Sequence, residues 1–354
     1  MINSNAVLEV NSKNLINNYK VLSSIASKSI CASTIKANAY GIGAIDALKL
    51  LYKNGCKHFF VATCEEGLEL RERNKIITIY VLNGLESYNL NIFKKNNLIP
   101  IINSMKELYK IKKYLKKNKV NFGLHVDTGI NRLGLNIKEL EIAKIVNLKI
   151  NILISHLASA DEINNKYNNT QNKIFQTSFK YCKNVRYKSI SNSMGLNLGK
   201  EFHYNLIRPG ISLYGGHFNT KMKSIIKPVI SLKAKILQIK EIEKNQYVGY
   251  NQTFKTMNKS VIAIIGIGYA DGISRKLSNK GVVYYKKKIF NIIGRISMDT
   301  ITIDVSKNYK IFKEGEYIEI INHKYGIDYM ASKCETICDE ILTSISKRVK
   351  RVYI

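Results

Sequence analysis

The chain has 354 residues, 45% of them hydrophobic, and its 56 Lys and Arg against 26 Asp and Glu give a formal net charge of +30. This length and composition exclude a mostly disordered chain and favour a folded protein larger than one average domain. The charge suggests nucleic-acid binding, but only nine of the basic residues are Arg and the lysines are spread along the whole chain. Nucleic-acid-binding proteins concentrate charge in a stripe or tail interleaved with aromatic side chains. We therefore attribute the charge to compositional drift and predict no specific nucleic-acid partner.

The N-terminus and the cysteines predict a soluble cytoplasmic protein. Met1–Asn11 has no basic stretch followed by an apolar one, so no signal peptide is expected. No window approaches 18 uninterrupted apolar residues, so no membrane contact is predicted. The six cysteines include no CxxC pair. Because Cys334 and Cys338 have no second ligand pair nearby, we predict neither disulfides nor a metal site.

From residue 5 to about 215, short β-rich apolar runs alternate with segments of helical spacing. The predicted strands are Ala6–Val10, Ile30–Lys36, His58–Thr63, Ile76–Leu82, Leu98–Ile102, Val120–Val126, Ile150–His156 and Arg186–Ile190. Ser104 and Glu107 have the spacing of a capping box that begins a helix. So many alternations without a Rossmann glycine fingerprint favour the α/β class and a (β/α)8 TIM-like barrel.

After about Lys227 the pattern changes to short strands separated by polar turns. The runs are Ile230–Ile239, Val261–Ile267, Gly281–Tyr285, Ile289–Ile293, Ile301–Val305 and Tyr317–Ile321. Such runs with little helical periodicity are typical of an all-β domain. We therefore predict a barrel over residues 1–226 and a mostly β C-terminal domain over residues 227–354.

A lysine closes the second predicted strand, in the segment Thr34–Gly43. The active sites of barrel enzymes lie at the carboxyl ends of strands, which is the position of Lys36. A lysine in a partly apolar mouth has its charged form disfavoured, and this favours action as a nucleophile or base. The alternative is a strand-terminal lysine that reaches solvent.

Further candidate residues follow the later strands. Arg132 lies between glycines in Val126–Gly134, and its planar guanidinium suits a carboxylate or phenolate. His156 ends the next strand, although a lone histidine is more often structural than catalytic. Ser191–Ser193 and Arg208–Ile211 follow the last strands, where barrels commonly bind phosphate.

The second domain carries three segments that combine tyrosines or charges with small residues. They are Gly249–Asn251, Gly268–Gly272 and Gly294–Asp299. A tyrosine beside glycines is usually a packed turn residue, and a tyrosine that acts as a general base needs a cationic partner to lower its pKa.

In this order, the motifs resemble the alanine racemase family of pyridoxal-phosphate enzymes with a barrel and a β domain. The match rests on Lys36–Gly41, Val126–Gly129 with Arg132–Gly134, Arg208–Gly210, Gly268–Gly272, and Arg295 with Met298 and Asp299. The last two motifs separate the chain from relatives that have only the barrel. The resemblance implies interconversion of L-alanine and D-alanine by a two-base mechanism that supplies D-alanine for peptidoglycan synthesis.

The resemblance also implies the cofactor, the oligomer and the site residues. Pyridoxal 5'-phosphate is implied to be held by Lys36 as a Schiff base, and Lys36 to take the α-proton from D-alanine. A homodimer is implied in which the C-terminal β domain, with Tyr250 as the base for L-alanine, contributes to the partner subunit's active site. Arg132 and the Met298 amide are implied to bind the substrate carboxylate, and Tyr269 to narrow the entrance. The implied cofactor-binding residues are Lys36, Tyr40, Arg132, His156, Ser193, Arg208, Gly210 and Ile211.

Two positions depart from the family pattern. His125 stands where many members have a carbamylated lysine that supports the arginine, so we predict a different support for Arg132, such as a bound anion. Lys347 stands where some members have a phosphate-binding tyrosine, and a lysine can contact phosphate only as a point charge. Two alternative functions stay open, namely a non-catalytic pyridoxal-phosphate carrier and a racemase with a broader choice of amino acids.

Overall fold

The computed structural model describes residues 4–85, 88–217 and 220–354, and the chain divides into two compact units. One comprises Ile16–Leu213 and Phe218–Ile226 and is called the barrel unit. The other comprises Met1–Leu15, Tyr214–His217 and Lys227–Ile354 and is called the β unit. Within the described ranges, the longest apolar helices fall short of what a membrane crossing needs.

Among the residues that the structure describes, the first part of the chain forms ten strands and nine α-helices. The strands are β1 (Ala6–Val10), β2 (Ile30–Cys31), β3 (Ser33–Thr34), β4 (His58–Val61), β5 (Thr78–Val81), β6 (Leu98–Ile102), β7 (Gly123–His125), β8 (Ile150–Ile154), β9 (Val185–Ser189) and β10 (Leu206–Ile207) in the described residues. The helical segments are α1 (Ser12–Ile25), α2 (Lys36–Tyr40), α3 (Ala44–Lys53), α4 (Cys64–Arg73), α5 (Leu90–Lys95), α6 (Met105–Leu115), α7 (Ile137–Ala143), α8 (Tyr167–Thr177) and α9 (Thr220–Ile225).

The sheet of the barrel unit closes on itself. Strands β3 to β9 form one parallel sheet in sequence order, and β10 pairs in parallel with β2. Arg208 N–H donates to the Ser191 carbonyl at 3.0 Å, which joins the segment after β10 to the segment after β9. Because β2 continues into β3 after a single residue, these bonds complete the ring. The predicted TIM-like barrel is confirmed.

The barrel interior is filled by apolar side chains from alternate strand positions. The buried cluster consists of Ala32, Phe60, Tyr80, Ile99, Ile101, Ile152, Ile154 and Leu206. Each large apolar side chain buried in this way contributes about 1.5–3 kcal/mol. Gly123 faces the same layer, since a Cβ there would collide with the side chains of Ile101 and Ile152. His125 lies two residues later on the same strand and therefore also faces the interior.

The β unit is mostly antiparallel, as predicted for the C-terminal part of the chain. Its remaining strands are β11 (Ile230–Ile242), β12 (Tyr247–Val248), β13 (Phe254–Lys255), β14 (Ser260–Ile265), β15 (Val282–Tyr285), β16 (Lys288–Asn291), β17 (Ile301–Asp304), β18 (Tyr317–Ile321) and β19 (Lys350–Tyr353). The main path of its large sheet is β16-β15-β18-β11-β1-β19, and β14 pairs with β11 and β17. Two helices, α10 (Ile327–Lys333) and α11 (Cys338–Ser344), precede the last strand.

The position of β1 corrects one expectation. The alternating pattern counted Ala6–Val10 with the barrel strands, but β1 pairs antiparallel with β11 and parallel with β19 in the sheet of the β unit. The eighth strand of the barrel is instead Leu206–Ile207, a pair of residues too short to give a periodic signal. An apolar run buried on both faces looks the same in either sheet, so the pattern could not assign β1.

The predicted helix start at Ser104 forms with one difference. The Ser104 hydroxyl accepts from the Glu107 N–H at 3.3 Å, as a cap requires. The Glu107 carboxylate, however, accepts from the N–H groups of Asn103 and Leu85, both at 2.7 Å, rather than from that of Ser104. Glu107 therefore joins the start of α6 to the loop after β5 and also fixes the backbone of Asn103.

Candidate active site

The barrel brings the predicted site residues together at the carboxyl ends of its strands. Lys36 follows β3, Arg132 lies in the loop after β7, His156 follows β8, and Arg208 follows β10. Burial lowers the pKa of His156 well below its usual value, and the positive charges of Arg208, Arg132 and Lys36 lower it further. Charges that act on one imidazole from separate strands must lie close to it. The arrangement matches the active-site end of a barrel.

Lys36 is followed by a left-handed turn. The φ angles of Ala37, Asn38, Ala39 and Tyr40 are 51°, 55°, 53° and 52°, which lie in the left-handed region that residues with a Cβ avoid. Each such residue costs about 1–2 kcal/mol. A run of four persists only where the surroundings hold it, and strain of this kind is concentrated at functional sites.

Glu66 holds this turn in place. One carboxylate oxygen accepts from the Ala37 N–H at 2.6 Å, and the other accepts from the Ala62 N–H at 2.7 Å. The residue next to Lys36 is thereby attached to the end of β4. Glu66 lies outside the motifs that predicted the site. Its one signal was a carboxylate in the first turn of a helix that directly follows a barrel strand.

Arg208 is buried with its hydrogen bonds directed into the barrel. It is 6% exposed, its Nε donates to Ser189 Oγ at 2.9 Å, and its Nη2 donates to the Ser155 carbonyl at 2.5 Å. Burial lowers the pKa of Arg208 to about 10, so the side chain stays charged at neutral pH. Within the described residues no carboxylate pairs with Arg208. A buried guanidinium that makes these two hydrogen bonds in the described residues has further N–H donors for an acceptor atom of a bound group.

The segment after Arg208 forms a small polar cradle. The N–H groups of Gly210 and Ser212 donate to Ser193 Oγ at 2.9 and 3.2 Å. Gly210 has no space for a Cβ, because that atom would collide with the Tyr40 hydroxyl. The hydroxyl of Ser212 is buried and lacks a hydrogen-bond partner in the described structure. Converging hydroxyls and amides without a carboxylate fit a phosphate group, so the residues present suit the implied cofactor.

The loop that carries Arg132 is shaped from both ends. Asp127 Oδ1 accepts from the N–H groups of Gly129 and Asn131 at 2.9 and 3.1 Å, and Leu135 N–H donates to the His125 carbonyl at 2.9 Å. Arg132 is exposed, and its guanidinium makes no hydrogen bond or ion pair with the described part of the chain. The loop backbone is therefore fixed while the guanidinium stays available.

A buried polar network supports this loop and was missed by the motifs. Thr128 Oγ1 lies 2.8 Å from Ser155 Oγ, and Gln171 Nε2 donates to Thr128 Oγ1 and to the His156 carbonyl, both at 3.1 Å. Gln171 is fully buried on α8. Its polarity at a helical core position was the available signal, but nothing in the sequence showed which strand ends it would join.

The β unit gathers its own predicted residues in a second cluster. Tyr269 N–H donates to the Ser297 carbonyl at 3.1 Å, and Ala270 N–H donates to the Met298 carbonyl at 3.0 Å. Tyr250 follows Gly249, where a Cβ would lie 2.9 Å from Arg295 N. The side chains of Tyr250, Met298 and Tyr269 are 66%, 52% and 42% exposed. The Tyr250 hydroxyl and the Met298 N–H have no hydrogen-bond partner in the described residues and are available to another group.

Arg348 ties this cluster together and was not predicted. Its Nε lies 3.2 Å from Asp271 Oδ1, and its Nη2 lies 2.7 Å from Asp299 Oδ1. Both carboxylates come from motifs that the sequence singled out. Lys347, the residue expected to replace a phosphate-binding tyrosine, is exposed.

Comparisons with known proteins agree with this geometry. A family model described as the alanine racemase N-terminal domain matches residues 10–217, and one described as the alanine racemase C-terminal domain matches residues 229–353. The alanine racemase of Rickettsia akari is 40% identical over 98% of each chain.

Solved structures give the same result. Alanine racemase from Bartonella henselae with covalently bound pyridoxal phosphate is 34% identical, has a TM-score of 0.93 and covers 99% of this chain and 100% of that chain. Alanine racemase from Acinetobacter baumannii is 28% identical with a TM-score of 0.88, over 99% and 100% of the two chains. These matches span both units, and the chain belongs to the alanine racemase family.

Proposed function

We propose that Lys36 and Tyr250 are the two bases with which this alanine racemase interconverts L-alanine and D-alanine, and that it supplies D-alanine for peptidoglycan, the general role of the family. A two-base racemisation needs one group on each face of the planar carbon, one to take the proton and the other to return it. The observation that carries the proposal is the convergence of Lys36, Arg132, His156 and Arg208 at one end of the barrel. The β unit adds a tyrosine hydroxyl without a partner in the described residues.

The family uses pyridoxal 5'-phosphate, which when bound withdraws electrons from the substrate carbon and so weakens its C–H bond. We assign its attachment to Lys36. The cradle of Tyr40, Ser193, Gly210 and Ile211 would hold the phosphate, because its hydroxyls and amides converge without a carboxylate. Glu66 fixes the turn after Lys36 and therefore limits the positions that the lysine can adopt.

Arg208 would lie against the ring nitrogen of the cofactor. Because its pKa of about 10 keeps it charged at neutral pH, it can donate a hydrogen bond but cannot act as an acid towards a nitrogen. The two donations to Ser189 and Ser155 hold the guanidinium in one orientation. Arg208 thus limits how far charge spreads away from the substrate carbon.

Arg132 and the Met298 amide would bind the substrate carboxylate. The support is that both groups have donors without partners in the described residues, and a guanidinium fits a carboxylate with two parallel bonds. His156 would be the hydrogen-bonded neighbour of Tyr250, and Tyr269 would narrow the entrance. The burial and nearby cations that lower the pKa of His156 keep its imidazole neutral, so it can accept a hydrogen bond.

The active enzyme would be a cytoplasmic homodimer with shared sites. Because β1 lies in the sheet of the β unit, the domains would be the barrel and β units described above rather than residues 1–226 and 227–354, with the β unit contributing Tyr250 to the partner subunit's site. The exposure of Tyr250, Met298 and Tyr269 supports this proposal, because functional groups of one chain alone would be expected to lie in a pocket.

The direct test is to supply L-alanine to the purified protein loaded with pyridoxal phosphate and to measure D-alanine over time. We expect conversion to an equal mixture of the enantiomers. Retention of the cofactor without conversion of any amino acid would contradict the proposal and support a carrier. Conversion of serine at a rate comparable to that of alanine would instead indicate a broader racemase.

A further inference from the structure

His125 has a buried nitrogen that lacks a partner. The side chain is 6% exposed and faces the barrel interior, where its Nδ1 lies 3.0 Å from Asn103 Oδ1. The other ring nitrogen, Nε2, is buried without a hydrogen-bond partner in the described structure. Buried polar atoms in folded proteins are almost always paired, so an unpaired one at a site marks a missing contact.

The neighbours of His125 determine which nitrogen carries the proton. Asn103 Nδ2 donates to the carbonyls of Leu82 and Ile101 at 2.8 and 2.9 Å, which orients the amide so that Oδ1 faces the imidazole. An amide oxygen only accepts hydrogen bonds, so Nδ1 of His125 must be the donor. In a neutral imidazole the other nitrogen is then an acceptor.

His125 is neutral in this environment. Burial, together with the positive charges of Arg208 and then Arg132, lowers the pKa of His125 to about 3. Its Nε2 therefore presents a lone pair to the site at neutral pH. A lone pair repels an anion and attracts an N–H group, which argues against the bound anion expected from the sequence.

Two arginines act on His125, and they differ in how far their guanidinium groups are fixed by other hydrogen bonds. Arg208 already donates to Ser189 and Ser155. Arg132 has no hydrogen bond or ion pair with the described residues. The loop of Arg132 is attached both to His125 and to Asn103, which orients the imidazole. Gly134 N–H donates to the Asn103 carbonyl at 3.1 Å, and Leu135 N–H donates to the His125 carbonyl at 2.9 Å.

We propose that in the loaded enzyme the Arg132 guanidinium donates a hydrogen bond to His125 Nε2, and that His125 is thereby a positioning residue that aims Arg132 at the substrate carboxylate. This rests on the proposed role of Arg132 in carboxylate binding. The bond joins a fixed acceptor to a flexible donor and so restricts the Arg132 side chain before substrate binds. The loss of conformational entropy on binding is therefore smaller.

The tautomer is tested by ¹⁵N NMR of histidine-labelled protein loaded with pyridoxal phosphate at pH 7.5, with His125 assigned from the His125→Gln spectrum. We expect Nδ1 to be protonated and Nε2 to be unprotonated. A protonated Nε2 would overturn the proposal whatever the enzyme catalyses.

The contact is tested by calorimetric titration with propionate, a carboxylate that lacks the amino group. His125→Leu, which removes the acceptor, is expected to weaken propionate binding about tenfold, whereas His125→Gln, which retains an acceptor oxygen, is expected to restore most of the affinity. In an Arg132→Met background, His125→Leu should have no further effect, whereas additive losses would overturn the proposal.

Controls separate the proposal from folding and from the proposed function. Equal thermal midpoints and cofactor absorption in the His125 variants establish intact sites, and His125→Gln serves if the leucine variant does not fold. If Arg132→Met leaves propionate binding unchanged, the proposed role of Arg132 in carboxylate binding is contradicted. The tautomer measurement still tests the proposal on His125 independently. Affinity that depends on chloride when chloride replaces gluconate would indicate an anion support and overturn the proposal.

Discussion

The two units differ in how they present most of their site residues, with Arg132 as the exposed exception in the barrel unit. In the barrel unit, Arg208 and Ser193 are 6% and 2% exposed and their polar atoms are directed by neighbouring strands. In the β unit, Tyr250 and Met298 are 66% and 52% exposed, and only the backbone around them is fixed. The barrel is thus built to hold a group in one position, whereas the β unit presents the proposed base at a surface. This difference is what the proposed homodimer with shared sites would require.

Lys36→Ala is expected to have the largest effect. Because it removes both the proposed attachment point of the cofactor and one proposed base, racemisation should fall by more than about 10⁴-fold. The visible absorption of the attached cofactor should disappear together with the activity, as measured on purified protein. Lys49→Ala, at an exposed residue on α3 paired with Asp46, is the matched control. An unchanged absorption spectrum in the Lys36 variant would show that the cofactor is held elsewhere.

Tyr250→Phe should leave the cofactor bound but slow racemisation by about 10²–10⁴-fold. Exchange of the α-proton of L-alanine with deuterium should be lost, while exchange from D-alanine through Lys36 is less affected. Tyr247→Phe, at a neighbouring residue that is 53% exposed, is the control and should be neutral. Near-normal rates for Tyr250→Phe in both directions would refute the two-base scheme.

Mixing the Lys36→Ala and Tyr250→Phe proteins tests whether the barrel unit of one copy and the β unit of another form one site. If sites are shared, each mixed dimer contains one site with both bases and one site with neither. Because one of its two sites is complete, a mixed dimer should recover about half of the native activity. Inactivity in a mixture with proven heterodimers would mean that each chain forms its own complete site.

The smallest expected effect is a pH dependence of stability that belongs to the barrel. An unfolded histidine binds a proton below about pH 6.5, whereas folded His125 stays neutral down to its pKa of about 3. The stability that neutral His125 contributes is thus fully present above pH 6.5 and is lost as the pH falls through this window. The slope should be about 1.4 kcal/mol per pH unit for this one group.

Denaturant unfolding at pH 6.5, 5.75 and 5.0 measures this slope. His125→Gln removes one titrating group and should therefore lower the slope of the free energy of unfolding against pH by about 1.4 kcal/mol per pH unit. His323→Gln, at an exposed histidine of the β unit, should leave it unchanged. Equal slopes in the native protein and the His125 variant would show that the imidazole is not neutral in the folded barrel.

The sequence determined much of this protein by itself. Lys36 and His156 each close a predicted strand, and the carboxyl ends of barrel strands share one face, so periodicity was enough to expect them together. The change from alternating helices and strands to short strands near Lys227 predicted the mostly β character of the C-terminal part. These features depend on local pattern, which the sequence displays.

Only the tertiary structure decided the contacts that control these residues. Glu66 reaches Ala37 across 29 positions, and Asn103 reaches His125 across 22, so no local pattern could link either pair. The membership of β1 in the sheet of the β unit and the brief β10 strand were likewise set by pairing partners distant in sequence. A residue type states which hydrogen bonds are available, but the partner, and with it the tautomer of His125, follows only from where the folded chain brings each atom.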